Sequence, residues 1–252
     1  MKSSNPFFWT NQDGRLLCRN LESEYEVVSA DVFAAYRSQK IDEPVVIFYE
    51  IYKNEGLGLV NNCIYQINEC KIDQGDVVLD LGGNIGIFSR FASEVGASKI
   101  FTFEPVQENF KLLSLNRPTN CEIHRLAVTD VDNQGVKISY KDWAPGGSSI
   151  NYPEGGSEQT VMTISLDTLI NNKVIQIPNF MKIDVEGSEM MVFKGISDDN
   201  LSKISKISME LHKKVIGDSG VNYIYDRLHS LGFRSFTIYS PTQDDQVYFW
   251  KK

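Results

Sequence analysis

The chain is poor in the residues and patterns that mark several whole classes of protein. It holds four cysteines, Cys18, Cys63, Cys70 and Cys121, with no Cys-x-x-Cys pair, and zinc-site spacing is absent. Thiols this few and this scattered predict free, reduced cysteines in a cytoplasmic protein. No apolar run approaches the roughly 18 residues of a spanning helix, so no membrane insertion is expected. Met1 to Thr10 lacks the charged-then-apolar pattern of a signal peptide. Positive charge is also scarce: 25 Lys and Arg stand against 33 Asp and Glu, a net charge of −8. A general nucleic-acid binder needs a basic stripe for phosphates, so nucleic acid is not an expected partner, and an anionic membrane surface is disfavoured on the same ground. Internal repeats and low-complexity segments are missing too.

What is present is an ordinary globular balance, 42% hydrophobic and 23% charged residues over 252 positions. That length suits one α/β domain with a small appendage. Residues 1–70 are irregular in pattern and read as an N-terminal extension or lid, and residues 71–252 as the main domain. Within the first part Tyr25 to Val28 predicts a short strand, Pro44 to Tyr52 a strand or helix, and Asn61 to Cys70 a short helix before a turn at Asp73 to Asp76.

From residue 77 the pattern is regular. Val77 to Leu81 is a continuous apolar run ending in Gly82-Gly83, as a strand buried on both faces would be. Ile85 to Val95 carries apolar residues at helical spacing and stops at Gly96. Lys99 to Phe103, Gln107 to Leu115 and Cys121 to Leu126 continue as strand, helix and strand, the mononucleotide-binding half of a doubly wound sheet. Val136 to Tyr140 and Thr160 to Ile164 predict strands around a Gly/Ser/Pro-rich loop, Ala144 to Ser157. A short helix from Ser165, a strand Phe180 to Ile183, a helix Ser188 to Lys194, a strand Ile204 to Leu211 and a helix Val221 to Leu231 follow. Phe233 to Tyr239 and Gln246 to Trp250 then alternate like a closing hairpin.

The turn Asp80-Leu81-Gly82-Gly83-Asn84-Ile85-Gly86 opens the first helix. Its small residues allow close backbone approach to a ligand, and its spacing is not the Gly-x-Gly-x-x-Gly of dinucleotide enzymes. Asp80 is placed to meet a cationic amino group. Glu104, at the tip of the second strand before Pro105, is placed to accept hydrogen bonds from both hydroxyls of a ribose. Together they suit an adenosine ligand with a cationic amino-acid tail. Further on, Lys182, Asp184 and Glu186 put charge at every second position of an apolar strand end, where open α/β sheets bind ligands, and Glu210 and His212 share a face at the next strand tip. Lys182 reads as a partner for these carboxylates.

The blocks VVLDLGGNIGIFS, FEPVQENF, SLDTL, FMKIDVEGSEMMVFKGI and SMELH, in this order across residues 75–250, resemble the FkbM family of S-adenosylmethionine-dependent methyltransferases. The resemblance implies a Rossmann-like class I methyltransferase fold: a seven-stranded, mostly parallel sheet, a C-terminal antiparallel hairpin and helices on both faces. It implies S-adenosylmethionine as cofactor and methylation of hydroxyl oxygens, often on sugars. Carried over by position, Asp80, Gly82, Gly83, Asn84 and Gly86 should line the methionine part, Glu104 the ribose, Pro105 and Asn109 the adenosine, and Ala127 the adenine. Asp184 should lie near the sulfonium and the acceptor. Gly83 departs from the family, which usually has alanine there, a change that looks conservative.

A neutral sugar hydroxyl is a weak nucleophile and needs a base or a cation. Asp184, Glu186, Glu210 and His212 offer both routes. In one, His212 or Asp184 takes the proton. In the other, Asp184 with Glu210 or His212 holds a divalent metal ion that acidifies the hydroxyl. Trp143 and the Ala144 to Ser157 loop are candidates for the acceptor side, and Tyr49, Glu50 and Tyr52 for a cap, whereas His124 and His229 read as structural. The expected partner is a small-molecule or sugar-nucleotide acceptor, and a homodimer is compatible with the chain. The alternatives are a methyltransferase for a natural product, lipid headgroup or phosphoramidate, and a non-catalytic nucleotide-binding Rossmann module.

Overall fold

A computed structural model describes residues 8–12, 15–19, 24–29, 59–60, 63–141, 144–149, 157–239 and 244–251. Strands β1 (Phe8–Gln12), β2 (Arg15–Arg19) and β3 (Glu24–Ser29) form an antiparallel meander. The strand expected at Tyr25 to Val28 lies in β3. Pro44 to Tyr52, with Tyr49, Glu50 and Tyr52, lies outside the described residues.

Strands β4 (Leu59–Val60) and β5 (Cys63–Ile67) pair antiparallel, so the helix expected over Asn61 to Cys70 does not form. Cys63, Tyr65 and Ile67 all turn inward at a spacing of two, which a strand satisfies and a helix does not. Tertiary burial decides a segment this short.

The regular part runs β6 (Val77–Leu81), α1 (Ile87–Glu94), β7 (Lys99–Phe103), α2 (Gln107–Asn116), β8 (Cys121–His124) and β9 (Ala127–Val128). Then come β10 (Gly135–Lys141), β11 (Ala144–Ser149), β12 (Ser157–Ile164), α3 (Leu166–Asn171), β13 (Phe180–Ile183), α4 (Glu189–Lys194) and α5 (Asp198–Leu201). The chain closes with β14 (Lys206–Leu211), α6 (Lys213–Ser230), β15 (Arg234–Ile238) and β16 (Asp245–Trp250). The loop expected from Ala144 is in part a strand, because β11 pairs with β10 across a register shift. That pairing recruits backbone groups, so Gly146, Gly147, Ser148 and Ser149 need no apolar alternation to join it. Trp143 and residues 150–156 lie outside the described residues. Helix α6 starts earlier than Val221 and is broken at Gly217, whose φ is 68°.

Seven strands form one sheet in the order β15-β16-β14-β13-β6-β7-β8. Neighbours from β14 to β8 run parallel, and β16 runs antiparallel to both β14 and β15. This is the seven-stranded, mostly parallel sheet with a terminal hairpin that the resemblance implies. Alternate side chains serve two cores. Val78, Ile100, Phe180 and Tyr248 face α1 and β5. Leu79, Phe101, Met181 and Ile207 face α3, α4 and α6 on the other side. Burial on both faces is why these strands are largely apolar, and of the exceptions Asp80, Thr102 and Lys182 stand side by side in register. Among the described residues no helix is long and apolar enough to cross a membrane.

Strand β5 is tied to this sheet by polar contacts. The buried Tyr248 hydroxyl donates to the Ile64 carbonyl, and the Cys70 thiol lies 3.5 Å from the Ile207 and Phe249 carbonyls. Tyr248→Phe removes the first and leaves a carbonyl without its donor. We expect a loss of about 1–2 kcal/mol in urea unfolding, with amide exchange rising over residues 63–67 before the central strands.

Candidate active site

The turn from β6 into α1 is left-handed at three positions, with φ 81° at Gly82, 47° at Asn84 and 89° at Gly86. Glycine, and after it asparagine, adopts that conformation most cheaply. The glycines also answer to close packing. A Cβ at Gly82 would lie 1.7 Å from the Asp184 carbonyl oxygen, at Gly83 2.1 Å from Thr102 Cγ2, and at Gly86 2.8 Å from Leu113 Cδ1. On the side where a Cβ would stand, the space at these glycines is filled by the protein itself. Glycine at 83, expected as a conservative departure from the alanine of the family the sequence resembles, is a steric requirement here, since the Thr102 methyl occupies the volume of a Cβ.

Beneath the turn lies a buried charge cluster. Lys182 is 3% exposed. Its Nζ donates to the Gly82 carbonyl at 2.6 Å and lies 3.3 Å from Asp80 Oδ1 and 3.5 Å from Asp184 Oδ2. Strand register makes the first pair, because Lys182 stands opposite Asp80 across β13 and β6. Burial pulls the ammonium toward neutrality, but the charges of Asp80 and Asp184 outweigh it and hold Lys182 above the ordinary lysine range. The Ser89 hydroxyl donates to Asp80 Oδ2 at 2.7 Å and lies 2.6 Å from Thr102 Oγ1. Asp80 thus faces the interior, where it neutralises Lys182. The expected role of Lys182 as a partner for carboxylates agrees with this contact set.

A cleft of about 670 Å³ opens at the carboxyl ends of β6, β7 and β13. Of the residues expected at a cofactor, Gly82, Asn84, Glu104, Pro105, Asn109, Ala127 and Asp184 line it, while Asp80, Gly83 and Gly86 lie behind it. Leu81, Phe103, Val106, Leu126, Val128 and Ile138 supply an apolar wall. His124 stacks on Phe103 at 4.7 Å, a structural place as expected. Glu104 is 4% exposed. Its Oε2 accepts from the Asn84 backbone N–H at 2.8 Å, and its Oε1 from the Val106 N–H at 2.8 Å and Asn109 Nδ2 at 3.4 Å. Burial pushes the Glu104 carboxyl up to about 7 despite these three donors. The left-handed φ of Asn84 belongs to the turn that delivers its N–H to Glu104.

On the other side of Asp184 lies a second cation. His212 is 6% exposed and caps β14. Its Nδ1 donates to Glu189 Oε1 at 2.7 Å, and its Nε2 lies 3.2 Å from Glu186 Oε2 and 4.0 Å from Asp244 Oδ2. Burial opposes the charge on the ring, but Glu186 and Glu189 prevail and hold His212 far above the ordinary histidine range. Glu186 lines the cleft with φ 51°, an unfavourable backbone for glutamate, and strain of this kind gathers at functional sites. One ligand atom each from Asp184, Glu210 and His212 fall within 4.8 Å of one another. The four residues expected to do chemistry are therefore brought together, with His212 and Glu210 just outside the cleft lining. His229, bonded to Ser235 Oγ at 3.0 Å, sits apart.

Sequence reasoning missed four participants. Ser89 and Thr102 are ordinary polar residues inside a helix and a strand, and Glu189 was visible only as part of a motif. Tyr65, whose hydroxyl donates to Asp184 Oδ2 at 2.8 Å, lies on the strand misread as helix.

A sheet in this order, with a cleft at these strand tips, is the Rossmann-like fold of class I methyltransferases. Residues 80–235 match the Methyltransferase FkbM domain, and the chain belongs to that family. It is 29% identical over 145 residues to the hexuronic acid methyltransferase AglP of Haloferax volcanii, covering 57% of this chain and 59% of that protein. It is 26% identical over 171 residues to the 31-O-demethyl-FK506 methyltransferase FkbM of Streptomyces tacrolimicus, covering 55% and 66%. The chain thus spans less than two thirds of these relatives' length. Its fold is similar to the crystal structure of methyltransferase FkbM from Methylobacillus flagellatus KT, with a TM-score of 0.53 at 15% identity over 89% of this chain and 56% of that one.

The Gly83 contact gives a direct test. Gly83→Ala should cost about 1–3 kcal/mol in chemical unfolding, the usual range for overpacking. In a Thr102→Ser background, which removes the methyl and keeps the hydroxyl, the same change should cost less than half as much. A double-mutant cycle with no coupling would contradict the packing account.

Proposed function

We propose that the protein is an S-adenosylmethionine-dependent O-methyltransferase acting on a hydroxyl-bearing small molecule, with a sugar or sugar-nucleotide acceptor as the first choice. The observation that carries this is Glu104: a buried carboxylate at a strand tip, oriented by three donors, beside the apolar wall of a cleft that leads to Asp184. An apolar slot suits an adenine ring, and a carboxylate with spare acceptor capacity suits a ribose diol. Bound S-adenosylmethionine would supply an electrophilic methyl on cationic sulfur, which passes to the acceptor oxygen while the carbon–sulfur bonding pair stays on sulfur and the hydroxyl proton leaves.

On this reading each part of the chain has a role. Asn109, Pro105 and Ala127 flank the adenosine, and Gly82 and Asn84 the amino-acid tail. Asp80, from behind the turn, compensates Lys182. Asp184 faces both halves of the cleft and takes the hydroxyl proton. His212 is the weaker candidate for base, because both ring nitrogens are engaged by carboxylates and the ring holds its proton. Residues 71–252 form the main catalytic unit with residues 1–70 as an extension upon it, of which β5 packs into the core of that unit. The name of AglP, a hexuronic acid methyltransferase, supports testing hexuronates early.

A second reading has its own observation, the approach of Asp184, Glu210 and His212. A divalent ion there would hold the acceptor hydroxyl and lower its pKa, with Glu189 orienting His212 from outside, as carboxylates do for histidine ligands. Turnover that survives exhaustive chelation would remove this second reading and leave Asp184 as base.

Isothermal titration with S-adenosylmethionine and S-adenosylhomocysteine tests the main proposal, followed by labelled methyl transfer to hexuronates, nucleotide-sugars and neutral glycosides. Absence of binding to both would overturn it. Glu104→Gln should weaken donor binding roughly ten- to hundredfold, as expected for hydrogen bonds to a charged group.

The raised Glu104 gives a pH signature. The ionised carboxylate accepts both ribose hydroxyls, so donor affinity should rise with pH up to about 7 and then level, and Glu104→Gln should flatten the curve. Stability runs the opposite way. The folded value lies above the ordinary 4.5, so the contribution from Glu104 is fully present below that value and is lost as pH climbs through about 7. Urea midpoints of the ligand-free protein and of Glu104→Gln across this window measure it.

A further inference from the structure

The side chain of Asp184 must be aimed as well as present, and one residue outside the family's matched segment does the aiming. An aspartate carboxylate turns about a soft terminal torsion, so a single contact does not fix which oxygen faces a ligand. Among the described residues, the hydrogen bond and ion pair that reach Asp184 both reach Oδ2: the Tyr65 hydroxyl at 2.8 Å and Lys182 Nζ at 3.5 Å. Lys182 is a point charge on a flexible stem and gives charge without direction. Tyr65 gives direction. Its ring is buried, meets Phe88 edge-on at 5.3 Å with 74° between planes, and carries Lys182 Nζ at 5.2 Å from its centre. Its backbone belongs to β5, which Tyr248 fastens to the sheet.

We propose that Tyr65 is a positioning residue for methyl transfer: its hydroxyl pins Oδ2 of Asp184 so that Oδ1 stays turned toward the acceptor. The proposal rests on Asp184 acting at the acceptor. Tyr65 lies ahead of residues 80–235, the segment that matches the family domain, so on this proposal a strand outside the matched segment contributes to the site. Positioning of this kind affects the rate rather than affinity, because it acts on the geometry of the reacting oxygen.

Tyr65→Phe keeps the ring, its packing and its contact with Lys182, and removes only the hydroxyl. Donor affinity and acceptor KM should stay close to wild type, and the melting temperature should fall by no more than one lost hydrogen bond accounts for, while kcat falls roughly ten- to hundredfold, the equivalent of one hydrogen bond to a charged group. An unchanged kcat, or a fall matched by lost donor affinity and a larger drop in melting temperature, would overturn the proposal and make Tyr65 a core residue. The contact has a readout of its own. In protein labelled with 13Cζ-tyrosine, the resonance missing from Tyr65→Phe should shift in Asp184→Asn, and no shift sinks the proposal whatever the acceptor. A wild-type protein that fails to bind S-adenosylmethionine would instead overturn the proposed function, and the labelled tyrosine would still report the contact.

Discussion

A lysine ammonium enclosed by protein is the constraint on which the cleft depends. Lys182 joins the turn after β6, through Gly82 and Asp80, to the tip of β13, through Asp184. Burying that charge is tolerable only because two carboxylates and a carbonyl surround it, and breaking one member of such a group typically costs about 3–5 kcal/mol. Two aspartates against one lysine leave a net negative charge under the glycine turn, complementary to a cationic ligand above it. Backbone register produces this, since Asp80 and Lys182 are direct partners in adjacent parallel strands and Thr102 stands beside Asp80 on the next. The same parity carries Asp184 past the strand end into the cleft.

Much of this was legible in the sequence. Strands buried on both faces show as mainly apolar runs, so Val77 to Leu81, Lys99 to Phe103 and Phe180 to Ile183 read correctly. Charges at every second position in such a run stand out, so Lys182, Asp184 and Glu186 were visible as a set. The failures have physical reasons. The Cys63–Ile67 strand has too few residues to separate a period of two from one of 3.6 and takes its form from the sheet it covers. Strand β11 has backbone partners and no apolar pattern. The asymmetric hold on His212 depends on Glu189 and Asp244, which come from elements distant in sequence.

The glycine turn shows how one motif can answer two demands. Its spacing points to a ligand, and the segment that matches the family begins within it, at Asp80. Each Cβ missing from Gly82, Gly83 and Gly86 would nevertheless collide with protein atoms. The turn is small because it is clamped between the Asp184 backbone, Thr102 and α2, and the clamp delivers the Asn84 N–H to Glu104. On the proposed function, packing and recognition are then one feature, and a substitution read as conservative from family usage becomes a steric question set by Thr102.

The far side of Asp184 repeats the device used beneath the turn. His212 is a second buried cation, held by Glu189 from inside and Glu186 from the cleft wall, and it ties the tip of β14 to the loop after β13. That loop adopts left-handed backbone at Glu186 and Gly187, with φ 51° and 92°, which brings two carboxylates of one short segment around one ring. Strain at a glutamate costs of order 1–3 kcal/mol and persists where surrounding contacts hold it. Here the contact that holds it is the imidazole. Asp184 stands between the two cations, paired to the first and close to the second. The fold can put a carboxylate there because β13 is a central strand, with β6 on one side and β14 on the other, so that neighbouring tips reach it from both directions.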